Sequence, residues 1–216
     1  MVRPQNYFAP APWHARWDMA RTLLNRISGG DWPGTLGVRR SVLLATGGYD
    51  GDVLFENLEL VRTVRAAGGR ELIASDLYVR RLPSTVARFW SQRVRQAYDE
   101  LARPARLALS LLILPVATLI AAADAGGVLV LVAAAAIALA ETGRRREGGA
   151  AVFPATTALF APLWLAERAI CAWLAVGARL TLGGIPYRGR VLRRAASSER
   201  ELRERLMQRP RSRRAA

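Results

Sequence analysis

Residues 84–101 read Ser84-Thr-Val-Ala-Arg-Phe-Trp-Ser-Gln-Arg-Val-Arg-Gln-Ala-Tyr-Asp-Glu-Leu101. They lead into Leu107-Ala-Leu-Ser-Leu-Leu-Ile-Leu-Pro-Val-Ala-Thr-Leu-Ile-Ala-Ala-Ala123. In the first stretch Val86, Phe89, Trp90, Val94, Ala97, Tyr98 and Leu101 recur at spacings of three and four, which predicts a helix with one apolar face. Arg88, Gln92, Arg95 and Asp99 fall on the opposite face. Pro83 precedes the helix and Ser84 suits its N-cap. The second stretch has no polar stripe, so it reads as membrane-embedded rather than as a soluble core helix. A soluble part therefore meets a bilayer at this junction.

Downstream, Asp124 is the one charged residue between Leu107 and Ala140. Leu107–Ala123 and Gly126–Ala140 each fall slightly short of the roughly 20 residues that cross a bilayer. Asp124-Ala-Gly-Gly between them can turn, so residues 103–141 read as a transmembrane helical hairpin. Arg103 and Arg106 precede it and Arg144, Arg145 and Arg146 follow, which places both ends on the cytoplasmic side. Residues 150–182 are apolar but carry Pro154, Pro162 and Glu167-Arg168. A single crossing there would put the arginine-rich end outside, so the stretch is expected to be re-entrant or interfacial, with Trp164 and Trp173 near the headgroups. Residues 183–216 form an arginine-rich cytoplasmic tail. Ser198 and Glu201 make a capping box, and Glu199/Arg203 and Glu201/Arg205 are spaced as helical ion pairs. A short solvated helix with a disordered end is expected.

Upstream, residues 1–102 alternate strand and helix signals, as an α/β unit does. The prolines of Val2–Pro12 favour extended chain, and Trp13–Ile27 has helical spacing. Thr35–Arg39 suggests a short strand and Ser41–Thr46 a short helix. A longer helix runs from Phe55 to Ala67 with Gly68-Gly69 closing it, followed by strands at Leu72–Ala74 and Leu77–Val79. The net charge is +15 and every one of the 32 basic residues is arginine. Beside apolar spans such charge orients the chain and attracts anionic lipid, so no nucleic-acid partner is expected. The lone Cys171 excludes an intrachain disulfide, and the single His14 excludes a multi-histidine metal site.

Two motifs carry chemistry: Gly47-Gly-Tyr-Asp-Gly-Asp-Val-Leu-Phe-Glu-Asn-Leu-Glu-Leu60, and Trp90-Ser-Gln-Arg-Val-Arg-Gln96 downstream. This pair resembles the family 2 glycosyltransferases, the class that includes cellulose synthase and ceramide glucosyltransferase. There a Gly-Gly-aromatic-Asp turn leads to a Glu-Asp pair, and a Gln-x-x-Arg-Trp motif follows before the membrane spans. Glu56-Asn57 stands in the first place, and Gln92-Arg93-Val94-Arg95-Gln96 in the second. Trp32-Pro-Gly-Thr-Leu-Gly-Val-Arg-Arg40 is similar to the family's acceptor-side strand, which brings in Gly34, Thr35 and Arg39. Gly184-Ile-Pro-Tyr-Arg-Gly-Arg190 is similar to an element near the end of ceramide-glucosyltransferase-like members.

The resemblance implies the C-terminal half of a GT-A-type α/β domain, followed by transmembrane and interfacial helices in the cell membrane. It implies inverting transfer from a nucleotide-sugar donor to a lipid-linked or glycan acceptor. The acceptor hydroxyl then needs a base, and the departing diphosphate needs cations. The family's base is the Asp of the pair, and Asn57 cannot accept a proton. Glu56, or Asp50 or Asp52 of the preceding turn, is left for the role. Gln92, Arg93 and Arg95 would hold diphosphate or acceptor, and Gln92 and Arg95 share a helix face. Against this, Glu56 and Asn57 can act only as helix caps, and Asp50-Gly-Asp52 as a turn rather than a metal site. Trp13, Trp17 and Trp32 read equally as core or as a sugar shelf. A divalent metal, Mg or Mn, is expected for a complete enzyme, with its ligands and the nucleotide-binding half outside this chain. Alternatives are a non-catalytic scaffold, or a basic protein that binds anionic lipid or nucleic acid. The purified chain is expected to transfer no sugar from any nucleotide-sugar; robust turnover in a radiolabel assay would contradict this.

Overall fold

The computed structural model describes residues 1–208; the expected disordered end, 209–216, lies outside the described residues. Strand β1 (Val2–Phe8) is followed by helix α1 (Trp13–Ile27), α2 (Arg40–Ala45) and α3 (Glu56–Ala66). Strand β2 (Leu72–Arg81) then pairs parallel to β1, with a bulge between Arg3 and Gln5 that joins the two expected short strands into one. A parallel pair needs a crossover, and α1 to α3 supply it. The expected strand at 35–39 is reduced to a bridge between Gly37 and Val2.

The amphipathic stretch forms α4 (Val86–Ser91) and α5 (Arg93–Tyr98), divided at Gln92. Thr85, not Ser84, caps α4, its hydroxyl accepting the Arg88 N–H. A 3-10 turn at Asp99–Ala102 leads to α6 (Pro104–Ala122), α7 (Gly126–Arg145) and, after two further 3-10 turns, α8 (Ala161–Thr181). Three runs, Pro104–Ala122, Gly126–Ala151 and Ala155–Thr181, are long and apolar enough to cross a membrane. They differ in how far the protein itself covers them. The first is 6% buried and the third 44%, so α8 is the most covered of the three.

Pro154 precedes a 3-10 turn and Pro162 lies in the first turn of α8, where a missing N–H costs nothing, so α8 runs unbroken. Its Glu167 and Arg168 are buried, while Leu163, Ile170, Trp173 and Leu174 point outward. Strands β3 (Ile185–Tyr187) and β4 (Arg190–Leu192) form a hairpin, and α9 (Glu199–Gln208) packs on α3. The segment after β4 docks beside residues 53–55: the Leu54 N–H donates to Arg194 O and that of Phe55 to Ala195 O. Glu59 accepts the Ser197 N–H at 2.6 Å. Ser198 and Glu201 form the expected capping box, and Arg203 pairs with Glu199. Arg205, however, turns to Asp50 rather than Glu201. The expected solvated tail helix is thus anchored, with Leu202 buried against the core.

Both ends of the α6–α7 hairpin hold the last turn of α1. Arg106 Nη2 donates to Asn25 Oδ1 at 3.0 Å, and Arg26 Nε donates to Gly143 O at 2.9 Å. The α/β part therefore sits at the open end of the hairpin. Gly143 lies against the backbone carbonyl of Leu23, in space that a Cβ would fill. Gly143→Ala is expected to destabilise the fold by about 2 kcal/mol through overpacking. Thermal unfolding in detergent should show a lowered midpoint.

Candidate functional site

A cavity of about 550 Å³ opens where α1, the 31–34 loop, the tip of α3, the end of β2 and helices α4–α5 converge. Its floor is reached by Arg168 of α8 and its rim by Tyr187 of β3. Glu56 and Asn57 enter from the N-terminus of α3, Gly34 from the loop, and Gln92 and Arg95 from the α4–α5 segment. Arg88, Gln92, Arg95, Gln96 and Asp99 all line it, so the polar face read from the sequence is the cavity wall.

Glu56 is exposed to the cavity and makes no hydrogen bond or ion pair among the described residues. It is the first residue of α3, which has no side-chain cap, so a capping role does not account for it. Asn57 is held instead, its Nδ2 donating to Pro33 O at 2.7 Å. Arg95 stacks over Tyr187, 4.7 Å from the ring centroid.

The remaining predicted residues lie elsewhere. Asp52 is exposed and pairs with Arg190 at 2.8 Å, outside the cavity. Asp50 accepts the Asp52 N–H, the turn geometry expected of Asp-Gly-Asp, and also meets Arg205. Arg93 turns away from the cavity. It is buried, lies 4.1 Å over Phe89, and contacts Asp18 at 3.3 Å and Glu167 at 3.5 Å. Residues two apart on a helix point to different sides, so Arg93 and Arg95 cannot share a ligand. Thr35 receives the Asn6 amide, and Arg39 is exposed; neither lines the cavity. Trp13 and Trp17 belong to an edge-to-face aromatic cluster with Phe89 and Trp90. Trp32 does line the cavity, with Arg3 stacked on it at 4.1 Å.

Several wall residues could not be singled out from sequence. Asp31 is buried and accepts from Thr22 Oγ1 at 2.7 Å and Asn25 Nδ2 at 2.8 Å, with Arg21 at 3.2 Å. Burial alone would raise its pKa, but Arg21 and these hydrogen bonds hold the carboxyl below its usual range. Burial likewise opposes the Arg21 charge, and Asp31, Asp18, Asp99 and Glu100 around it outweigh that effect. Arg103 is lowered to about 10 by burial against the attraction of Glu100, so it stays charged at neutral pH. At the cavity base Asp99 Oδ1, Gln96 Oε1, Arg103 Nε and Nη1, and Arg168 Nε and Nη1 are buried without a hydrogen-bond partner among the described residues. Buried polar atoms are normally paired, so such a group marks a place for a polar ligand or water. No three His, Cys, Asp or Glu side chains among the described residues converge as a metal cage.

No family model, curated protein or solved structure matches the chain. Removing Arg93 deprives the carboxylates of Asp18 and Glu167 of the cation they share. Arg93→Ala is expected to cost about 3 kcal/mol of stability, the scale for breaking a buried ion pair. Denaturation should read that loss, and ligand affinity of the folded fraction should stay unchanged.

Proposed function

We propose that this cavity holds the diphosphate of a nucleotide-sugar, and that the chain is the acceptor-side part of a membrane-bound, inverting glycosyltransferase of GT-A type. What carries the reading is convergence: Glu56, Asn57, Gly34, Gln92 and Arg95, scattered in sequence, line one cavity. Its wall carries both carboxylates and guanidinium groups. Arg88 and Arg95 make no carboxylate pair among the described residues, and Arg103 and Arg168 keep unpartnered N–H groups. Planar, forked donors of this kind suit phosphate oxygens on which charge builds as the sugar departs.

No metal cage is present among the described residues. Asp50 and Asp52 are engaged by Arg205 and Arg190. On the acceptor side, exposed Leu82 lines the cavity, and exposed Trp90 stands on α4, the helix whose Arg88 lines it. That placement favours a lipid-linked or membrane-proximal acceptor. We read α8 as interfacial, because the chain before it packs on α1 and the chain after it returns to α3. Its outward Leu163, Ile170, Trp173 and Leu174 would then face lipid.

Inorganic pyrophosphate, titrated calorimetrically into the full chain in detergent, tests the cationic wall. Arg95→Ala is expected to weaken binding at least about tenfold, the scale of a charge-assisted hydrogen bond. Asp52→Asn should leave affinity unchanged. Equal binding by the wild type and Arg95→Ala would overturn the assignment.

A further inference from the structure

Five carboxylates line the cavity, and three of them are already engaged. Asp18 contacts Arg93, Asp31 holds Thr22, Asn25 and Arg21, and Glu100 meets Arg103 and Arg106. Glu56 and Asp99 remain. Glu56 is solvent-exposed at the helix tip, whereas Asp99 is half-buried in the 3-10 turn that joins α5 to α6. Its Oδ1 is fully enclosed and has no hydrogen-bond partner among the described residues. Asp99 also follows Gln92 and Arg95 at helical spacing, on the same cavity face.

We propose that Asp99, rather than Glu56, is the proton acceptor of the transfer reaction. This rests on the glycosyltransferase reading and deepens it. The acceptor oxygen bonds to the anomeric carbon as that carbon's bond to the diphosphate oxygen breaks. The bonding pair leaves with the diphosphate, and the hydroxyl proton passes to the Asp99 carboxylate. Protonation removes one negative charge from the wall while negative charge gathers on the leaving group, so the two events support each other.

The surroundings suit this exchange. Burial pushes Asp99 up to about 7, opposed by Arg103 and Arg168 and assisted by Glu56 and Glu100. These groups come from four directions: Arg103 from the start of α6, Arg168 from α8, Glu56 from α3 and Glu100 from Asp99's own turn; Arg21 of α1 also faces it. A base that titrates near neutrality combines proton affinity with a substantial ionised fraction. Glu56 then acts through Asp99, as a positioning charge that keeps it basic.

The reverse linkage gives a test that needs no turnover. A bound diphosphate places negative charge beside Asp99, raises its proton affinity and draws in a proton. Pyrophosphate is titrated into the full chain at pH 8 in two buffers of different ionisation enthalpy, which reports proton uptake. The wild type is expected to take up roughly half a proton more per bound pyrophosphate than Asp99→Asn does. Asp99→Asn should bind pyrophosphate at least as tightly, and Glu56→Gln should retain the uptake with its midpoint moved to lower pH. Equal uptake by wild type and Asp99→Asn overturns the proposal, as does loss of uptake in Glu56→Gln alone. Absence of pyrophosphate binding by the folded wild type overturns the underlying glycosyltransferase reading instead.

Discussion

Arg93 ties the molecule together. From α5 it reaches Asp18 of α1 and Glu167 of α8, lies flat on Phe89, and donates to the Phe89 carbonyl. A buried guanidinium between two carboxylates is strongly destabilised if any member is lost, because the others cannot be resolvated. The cluster therefore fixes three elements relative to one another, one of them the apolar α8. With Arg93 pointing to that side, the alternate face of the same segment, Gln92, Arg95, Gln96 and Asp99, must face the cavity. The wall of the site is in this sense the reverse side of a structural ion cluster.

A second constraint acts at the α1 C-terminus. Asn25 and Arg26 receive the start and the end of the α6–α7 hairpin, and Arg26 also reaches Ser75 O and Tyr78 Oη of β2. One helical turn thus joins the sheet to the apolar hairpin. Tail residues complete the assembly, since Arg194 to Ser197 bond the backbone around Phe55 and the carboxylate of Glu59. This docking braces the N-terminus of α3, from which Glu56 enters the cavity.

Sequence periodicity made much of this legible. The helices at 13–27 and 56–66, the apolar hairpin and the Ser198 capping box follow from local pattern, because local hydrogen bonding and burial decide them. The polar face Arg88, Gln92, Arg95 and Asp99 was equally visible, as were Glu56 and Arg95 as partners. What local pattern did not show was which polar residues are buried. Arg93 carries the same side chain as Arg95, and only the tertiary positions of Asp18 and Glu167 decide that it turns inward. Asp52 belongs to a turn motif, but its exposed ion pair with Arg190 depends on contact with the distant β3–β4 hairpin. The environment of Asp99 was hidden for a related reason: its burial comes from neighbours far along the chain.

The α3 tip and the α4–α5 segment face one cavity, which we propose binds an anion. Cysteines placed at Glu56 and Gln92, one variant each, can be labelled with a thiol reagent with and without pyrophosphate; Asp52→Cys serves as the external control and Cys171 is buried. Pyrophosphate is expected to slow labelling at positions 56 and 92 together and to leave position 52 unaffected. Protection at position 52 alone, or at none of the three, would contradict it.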